Sequence, residues 1–302
     1  MQGIELARKY YEAHGIPMLQ AQFGDVLHRI AVGLVGEGSE CLGFDDNLSQ
    51  DHDFEPGFCL FITQADYHAF GFALERAYAK LPKNFLGYER APLSPVGGNR
   101  HGVLVIEDFY RRFLGTPSAP ENLIQWFSIP AASLRAAISG EVWQDDLGVF
   151  SSVRNALLSG YPEDIRLKKL AAHTAFMAQA GQYNLSRCLS RKETGAAQLC
   201  CGEFIRHAIS AIYLLNNAYE PFYKWAYRGM RELNQLANLE QPLTSLPDNP
   251  SLIEEIASTF SEAFRKQNIS SVFGNNLIAH AYAITQHIQN GEIRNMHIMD
   301  GI

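Results

Sequence analysis

A short acidic stretch near the start of the chain has the residue types and spacing most suited to chemistry. Gly38 and Ser39 follow a strand-like apolar run, and eleven residues separate Ser39 from Asp51, which lies one residue before His52 and two before Asp53. Alternate side chains on a strand share a face, so both carboxylates are predicted to face one metal ion. Glycine also lets a phosphate approach the backbone amides closely. The stretch therefore predicts a phosphate site bridged by Mg²⁺ or Mn²⁺.

The layout of this stretch resembles the nucleotidyltransferase superfamily, in which Asp-x-Asp follows a Gly-Ser turn at a similar distance. More narrowly, residues 36–54, GEGSECLGFDDNLSQDHDF, resemble a bacterial family of nucleotidyltransferase-like proteins catalogued as a domain of unknown function, DUF4037. Further segments that look like the same family are 140–148, 161–166, 178–188 and 219–225. The resemblance implies transfer of a nucleoside monophosphate from a nucleoside triphosphate, expected to be ATP, to a hydroxyl of a small molecule or other acceptor.

The resemblance also assigns roles to the residues of the stretch. Gly38 and Ser39 would hold the triphosphate, and Asp51 and Asp53 would hold the metal. Members of the superfamily usually add a third acid from a neighbouring strand, as a metal ligand or as the base. Here the strand-like run 103–106 has no acid, and Glu107 follows only at its end, where a helix N-terminus explains an acid equally well. Glu107 is the candidate base, and a catalytically silent nucleotide-binding or regulatory module is the alternative.

Two polar segments of the helical half are further candidates. By analogy with aminoglycoside-type nucleotidyltransferases, Lys224 would contact phosphates and Tyr223 or Trp225 would stack on the nucleotide. The alternative for Lys224 is an ordinary surface lysine near the start of a helix. An earlier segment of this half supplies four candidates for the substrate cleft, namely Gln182, Tyr183, Asn184 and Arg187.

A competing pattern lies on a predicted helix of the same half. Arg166 and His173 are separated by six residues, and this spacing resembles the Arg-x₄₋₆-His motif of helical ribonuclease domains of the HEPN type. Seven positions place both side chains on one face of a helix, which suits a site and equally suits a packed face. A ribonuclease is therefore a less favoured alternative.

The elements that would position these residues follow from hydrophobic periodicity. Strands are predicted at 29–35, 58–62 and 102–106, and residues 82–101 are predicted to form a loop. Thr63 is the expected N-cap of a helix, and Glu107 would begin another. Helices are also predicted at 3–14 and 17–28, with a break between them.

The pattern becomes almost wholly helical beyond residues 116–120. We therefore predict an α+β protein of two domains, an α/β nucleotidyltransferase-like domain over residues 1–118 and an all-α helical domain over residues 119–302. The active cleft is expected between them.

Composition limits the remaining function classes. The 302 residues are 47% hydrophobic and 19% charged, as in soluble globular proteins. A formal charge of −7 argues against a protein that grips long nucleic acid. The five cysteines show no paired spacing typical of zinc sites or disulfides. No signal region or membrane span is recognised, so a cytoplasmic protein is expected, with a nucleotide and a small-molecule acceptor as its partners.

Overall fold

The computed structural model describes residues 1–50, 54–90 and 100–302. These residues form two compact units. Unit 1 comprises Met1–Pro120 and Ser133–Ser159, and unit 2 comprises Glu121–Ala132 and Gly160–Ile302. Unit 1 contains a small mixed sheet surrounded by helices, which confirms the predicted α+β class.

Unit 1 is built around a four-stranded sheet in the order β5-β2-β1-β6, and β3 and β4 form a separate hairpin. The strands are β1 Ala31–Val35, β2 Cys59–Ile62, β3 Asn84–Phe85, β4 Tyr88–Glu89, β5 Gly102–Val105 and β6 Gly140–Gln144. Strand β1 pairs antiparallel with β2 and with β6, whereas β2 and β5 are parallel. The C-terminal end of β1 therefore meets the N-terminal ends of β2, β5 and β6. We call this the turn end of the sheet.

The α-helices account for most of the remaining structure. Their bounds are α1 Gly3–Tyr10, α2 Ile16–Phe23, α3 Ser39–Leu42, α4 Gln64–Asp66, α5 Phe72–Ala79, α6 Ile106–Leu114, α7 Leu123–Ser128, α8 Ala131–Ile138, α9 Val149–Leu158, α10 Glu163–Met177, α11 Ser186–Ser190, α12 Thr194–Leu215, α13 Tyr223–Met230, α14 Glu240–Ser245, α15 Leu252–Lys266, α16 Leu277–Thr285 and α17 Gly291–Asn295. The π-helical segments are Tyr11–Gly15, Tyr67–Gly71 and Ala178–Leu185, and the 3₁₀ segments are Gly24–Arg29, Asn47–Gln50 and Ala237–Leu239.

Each face of the sheet is covered by an aromatic cluster. On one face, Phe58 of the strand segment packs edge-on against Tyr11, with ring centroids 5.2 Å apart. On the other, Phe61 stacks on Phe150 of α9 at 4.1 Å and meets Phe109 of α6 at 5.2 Å. The alternation of Phe58 and Phe61 between faces follows the period of two that strand side chains obey. The predicted strand at 58–62 is thus confirmed, with both faces buried.

The break predicted between helices 3–14 and 17–28 is wrong. The chain stays helical from α1 through the π-helical segment Tyr11–Gly15 into α2, where Pro17 occupies the first turn. A Cβ on Gly15 would lie 2.5 Å from the Tyr11 ring and 2.6 Å from the Phe58 ring. The glycine therefore serves close aromatic packing against the sheet, rather than ending the helix.

Residues 82–101 were predicted to be a loop, and their described part contains the hairpin β3–β4. Leu86 and Gly87 connect its strands, with φ of +51° and +85°. Two successive residues with positive φ make the kind of tight turn that matches the twist of a two-stranded hairpin. A leucine at such a position is unusual, which is why the sequence pattern did not reveal the turn.

Strand β6 corrects the prediction that residues 119–302 are entirely helical. It adds to the edge of β1, with Val35 opposite Gly140 and Leu34 opposite Glu141. Gly140 has φ +95°, and a Cβ there would lie 2.0 Å from the Leu34 carbonyl oxygen. Because β6 hydrogen-bonds β1 and Phe150 fills the sheet face, Ser133–Ser159 lies with unit 1. The single boundary predicted at residue 118 does not describe this division.

Unit 2 is a helical assembly centred on α10, which packs against α12 and α16. Nearly every residue of α10 is buried, including four charged or ionisable ones, namely Arg166, Lys168, Lys169 and His173. Within the described ranges, no helix is both long and apolar enough to cross a membrane.

Candidate functional site

The Gly-Ser turn lies at the turn end of the sheet, directly after β1. Gly36 and Gly38 have φ of +138° and +136°, conformations that side chains rarely allow. Ser39 then begins the short helix α3, which ends at Gly43 in the left-handed region. The two glycines thus permit the sharp change of direction between β1 and α3. Gly38 thus lies in a turn, as the sequence predicts, and Ser39 begins the helix that follows it.

Arg100 lies against this turn, and sequence reasoning did not single it out. Its Nη2 donates to the Glu37 carbonyl and to Glu40 Oε1, the latter at 3.0 Å. A Cβ on Gly38 would lie 2.1 Å from that Nη2. The Arg100 carbonyl accepts from the Cys59 thiol at 3.2 Å. Arg100 therefore ties the Gly-Ser turn to the start of β2.

A cavity of about 210 Å³ adjoins the turn within unit 1. Its walls combine the sheet residues Val35 and Leu104 with Phe109 and Phe113 of α6, and the guanidinium-bearing residues Arg100 and Arg112 line it. Arg112 also pairs with the Glu37 carboxylate at 3.1 Å. The cavity thus joins an apolar wall to two cations whose charges are partly balanced by acids of the turn.

The two cysteines beside the turn are poorly suited to act as nucleophiles near neutral pH. Cys41 and Cys59 are both buried. Burial raises the pKa of the Cys59 thiol to about 12 and raises the pKa of Cys41 as well. A thiol is reactive as the thiolate, which burial disfavours. The polar groups of the turn are left as the functional candidates.

Asp51 and Asp53, the predicted metal ligands, lie outside the described residues. The five residues that follow them lead into β2 and are held at the turn end, where His101 Nδ1 lies 3.0 Å from Glu55 Oε1. No group of three or more potential metal ligands occurs among the residues that the structure describes. The metal site therefore remains a prediction from sequence.

Glu107 is placed away from the turn, contrary to its predicted role as the base. Strands β2 and β5 are parallel, with Ile62 opposite Val105, so Glu107 follows at the far end of the sheet. There its Oε2 accepts a hydrogen bond from the Gln64 amide at 3.0 Å, beside the Thr63 N-cap of α4. The three residue steps from the start of β2 to Ile62 span about 10 Å, which separates Glu107 from the turn end. Glu107 therefore holds the start of α4, and it also lies in the first turn of α6, where the alternative explanation placed it.

The predicted cleft residues of unit 2 have unequal roles. Gln182 holds the start of α16, because its amide donates to the Asn275 carbonyl at 2.8 Å and accepts from the Leu277 amide at 3.0 Å. Tyr183 is exposed, and its hydroxyl accepts from Arg187 at 2.8 Å. Gln182 and Tyr183 line a cavity of about 550 Å³ in unit 2. Asn184 is partly buried in the same π-helical segment.

The predicted nucleotide contacts of unit 2 lie at the start of α13. Tyr223 is 77% exposed and packs beside Phe222, with ring centroids 4.4 Å apart. Lys224 is also exposed, and its ammonium lies 5.2 Å from the centroid of the Trp225 ring. Both side chains are accessible to a ligand. Their relation to the Gly-Ser turn remains a prediction, since they belong to different units.

Both residues of the Arg-x₆-His pattern make contacts inside unit 2. Arg166 makes two bonds to the Glu163 carboxylate, at 2.8 Å and 2.7 Å, and a third to the Leu214 carbonyl at 3.1 Å. His173 Nδ1 lies 2.9 Å from His207 Nδ1 in the core. Burial lowers the pKa of His173 well below its usual value. Both residues of the pattern thus have internal partners, which favours a packed face.

Residues 126–226 match a family model described as Domain of unknown function (DUF4037). This match confirms the predicted family for residues 126–226 of the chain. The DUF4037 match runs from α7 to α13 and includes strand β6. It does not reach the Gly-Ser turn, so it leaves the wider nucleotidyltransferase superfamily untested. Searches of curated proteins and of solved structures returned no match.

Proposed function

We propose that unit 1 binds a nucleoside triphosphate, expected to be ATP, with Mg²⁺, and that the protein transfers the nucleoside monophosphate to an acceptor hydroxyl. The observation that carries this proposal is the contact of Arg100 with the turn at Gly38. A guanidinium beside a glycine turn supplies positive charge where backbone amides can also reach a phosphate. The adjoining cavity of about 210 Å³ adds Arg112 and an apolar wall.

The sequence assigns the remaining roles. Gly38 and Ser39 would contact the phosphates, and Asp51 and Asp53 would hold Mg²⁺. The metal ion would neutralise charge on the triphosphate and orient it for in-line attack. The acceptor oxygen would bond to the α-phosphorus as the bond to pyrophosphate breaks. The hydroxyl proton would pass to a group other than Glu107, because Glu107 lies at the far end of the sheet.

The position of Glu107 also favours a second candidate, a nucleotide-binding or regulatory module without transfer activity. A module of this kind would keep the Gly-Ser turn and the Asp pair but would lack a base beside them. It predicts binding of ATP and Mg²⁺ with no release of pyrophosphate. The two candidates share a binding site and differ only in chemistry.

Isothermal titration with ATP and MgCl₂ tests the shared site. Asp51→Asn and Asp53→Asn are expected to weaken Mg²⁺-dependent binding at least about tenfold, which corresponds to about 1.4 kcal/mol. Asp25→Asn is the matched control, because Asp25 is an exposed acid elsewhere in unit 1. Binding that is equal in all three variants would remove the metal assignment.

A pyrophosphate-release assay over a panel of hydroxyl acceptors then separates transfer from silent binding. Release that requires both Mg²⁺ and an acceptor, and that Asp53→Asn abolishes, supports the transferase. Tight binding without release over the whole panel supports the silent module.

A further inference from the structure

The side chain of Glu40 folds back over the Gly-Ser turn. A Cβ added to Gly38 would lie 2.3 Å from Glu40 Oε1 and 2.1 Å from Arg100 Nη2. The same Oε1 accepts a hydrogen bond from Arg100 Nη2 at 3.0 Å, and the Glu40 side chain is only 15% exposed. An ion pair of the protein itself therefore fills the space that the absent side chain of Gly38 leaves.

The stem of Glu40 is held in place, whereas its carboxylate end is free to rotate. A Cβ added to Gly3 of α1 would lie 2.7 Å from Glu40 Cβ, so α1 packs closely against this stem. The Gly3 amide also donates to Asp45 Oδ2 at 2.7 Å, which ties α1 to the segment after α3. Rotation about the outer bonds of Glu40 would take the carboxylate off Arg100 without moving the backbone of the turn.

A carboxylate over Gly38 takes the place of a phosphate. Both groups are anionic oxygen acceptors that guanidinium groups bind. Arg100 uses one nitrogen, Nη2, for the Glu37 carbonyl of the turn and for the Glu40 carboxylate. A phosphate at Gly38 would overlap with the Glu40 carboxylate and would be repelled by its charge. Such a ligand therefore binds only after Glu40 has left Arg100.

We propose that Glu40 is an internal competitor for the phosphate position of the Gly-Ser turn, and that a polyphosphate displaces its carboxylate from Arg100. This inference rests on the proposed nucleotide site and adds the regulation of that site. The affinity of the site for its ligand is lowered in proportion to the fraction of molecules in which the position is open. Glu40 thus sets the concentration of polyphosphate at which the site fills.

Isothermal titration of the full chain with inorganic tripolyphosphate in MgCl₂ tests this competition. The probe has no base or sugar, so its affinity reports on the anion position alone. Glu40→Gln keeps the shape of the side chain and an oxygen that accepts from Arg100, but it removes the charge. We expect this variant to bind the probe at least about threefold more tightly than the wild type.

Glu240→Gln is the matched control. Glu240 Oε1 pairs with Arg231 Nη2 at 2.6 Å in unit 2, so the substitution breaks a similar ion pair away from the turn. Its affinity for tripolyphosphate should equal that of the wild type.

Glu40→Asp separates competition for Arg100 from simple charge repulsion. The aspartate keeps the charge, but its shorter side chain withdraws the carboxylate from Arg100. Competition predicts tighter binding by this variant as well. Tighter binding by Glu40→Gln together with wild-type affinity in Glu40→Asp would show repulsion alone and would overturn the inference.

The remaining outcomes distinguish this inference from the proposed function. If the wild type binds tripolyphosphate and Glu40→Gln binds it equally or more weakly, the inference is wrong while the nucleotide site stands. Weaker binding would make Glu40 a residue that positions Arg100. If neither the wild type nor any variant binds the probe or ATP, the nucleotide site is wrong and this inference fails with it.

Discussion

His173 and His207 face each other in the core of unit 2, with their Nδ1 atoms 2.9 Å apart. The Phe176 ring stacks on His207 at 4.6 Å, and Glu203 Oε2 lies 3.3 Å from His207 Nε2. Burial and the charge of Arg206 together lower the pKa of His207 to about 4, although Glu203 opposes them. One nitrogen of the pair must donate and the other accept, so at least one ring is neutral.

This pair predicts a loss of stability in mild acid. The folded pKa of His207, about 4, lies below its ordinary value of 6.5, so the unfolded chain binds more protons between those pH values. Stability is therefore full above about pH 6.5 and falls by about 3 kcal/mol as the pH drops to about 4. Urea unfolding across this range measures the slope. His207→Gln should reduce the slope without abolishing it, because burial also lowers the pKa of His173, whereas the exposed His287→Gln should leave it unchanged.

Gly38→Ala is expected to weaken ATP binding at least about tenfold and to destabilise unit 1 by about 1–3 kcal/mol. A methyl group there would collide with the Arg100 guanidinium, and the backbone has φ +136°. Gly43→Asn is the matched control, because Gly43 has φ +72° with no atom within 4 Å of an added Cβ. Titration calorimetry and thermal unfolding measure the two effects. Equal behaviour of the two variants would remove the special role of Gly38.

Glu107→Ala should affect stability rather than nucleotide binding. The substitution removes the acceptor of the Gln64 amide at the start of α4, a loss of about 1 kcal/mol. ATP affinity should stay within about twofold of the wild type, because Glu107 lies at the far end of the sheet. A large loss of pyrophosphate release with unchanged stability would restore Glu107 as the base.

Phe150→Ala tests whether α9 helps to hold the sheet of unit 1. Phe150 is fully buried and stacks on Phe61, so a cavity in this position should cost about 3–5 kcal/mol. Phe72→Ala removes the same ring from a site that is 69% exposed and should cost less than about 1 kcal/mol. Chemical unfolding of the two variants supplies the comparison.

Local patterns predicted the central elements well. The apolar run 58–62 became β2 because a short buried strand needs apolar residues on both faces. Thr63 is the N-cap of α4, and its hydroxyl accepts from the Asp66 amide at 3.1 Å, as expected from residue type alone. The bend at Gly36 and Gly38 is also local, because it depends on the glycine backbone. The family prediction, which rested on short sequence segments, was confirmed for residues 126–226.

The tertiary structure decided what depends on partners distant in sequence. Strand β6 has little strand pattern of its own and exists because it pairs with the edge of β1. The parallel pairing of β2 with β5 places Glu107 away from the turn end. A local sequence pattern does not specify whether two strands pair parallel or antiparallel. Arg100 is one basic residue in a segment predicted to be a loop. Only the fold brings it into contact with the Glu37 carbonyl, which is 63 residues away in sequence. Residue types therefore determined which local structures form, while strand pairing determined which side chains meet.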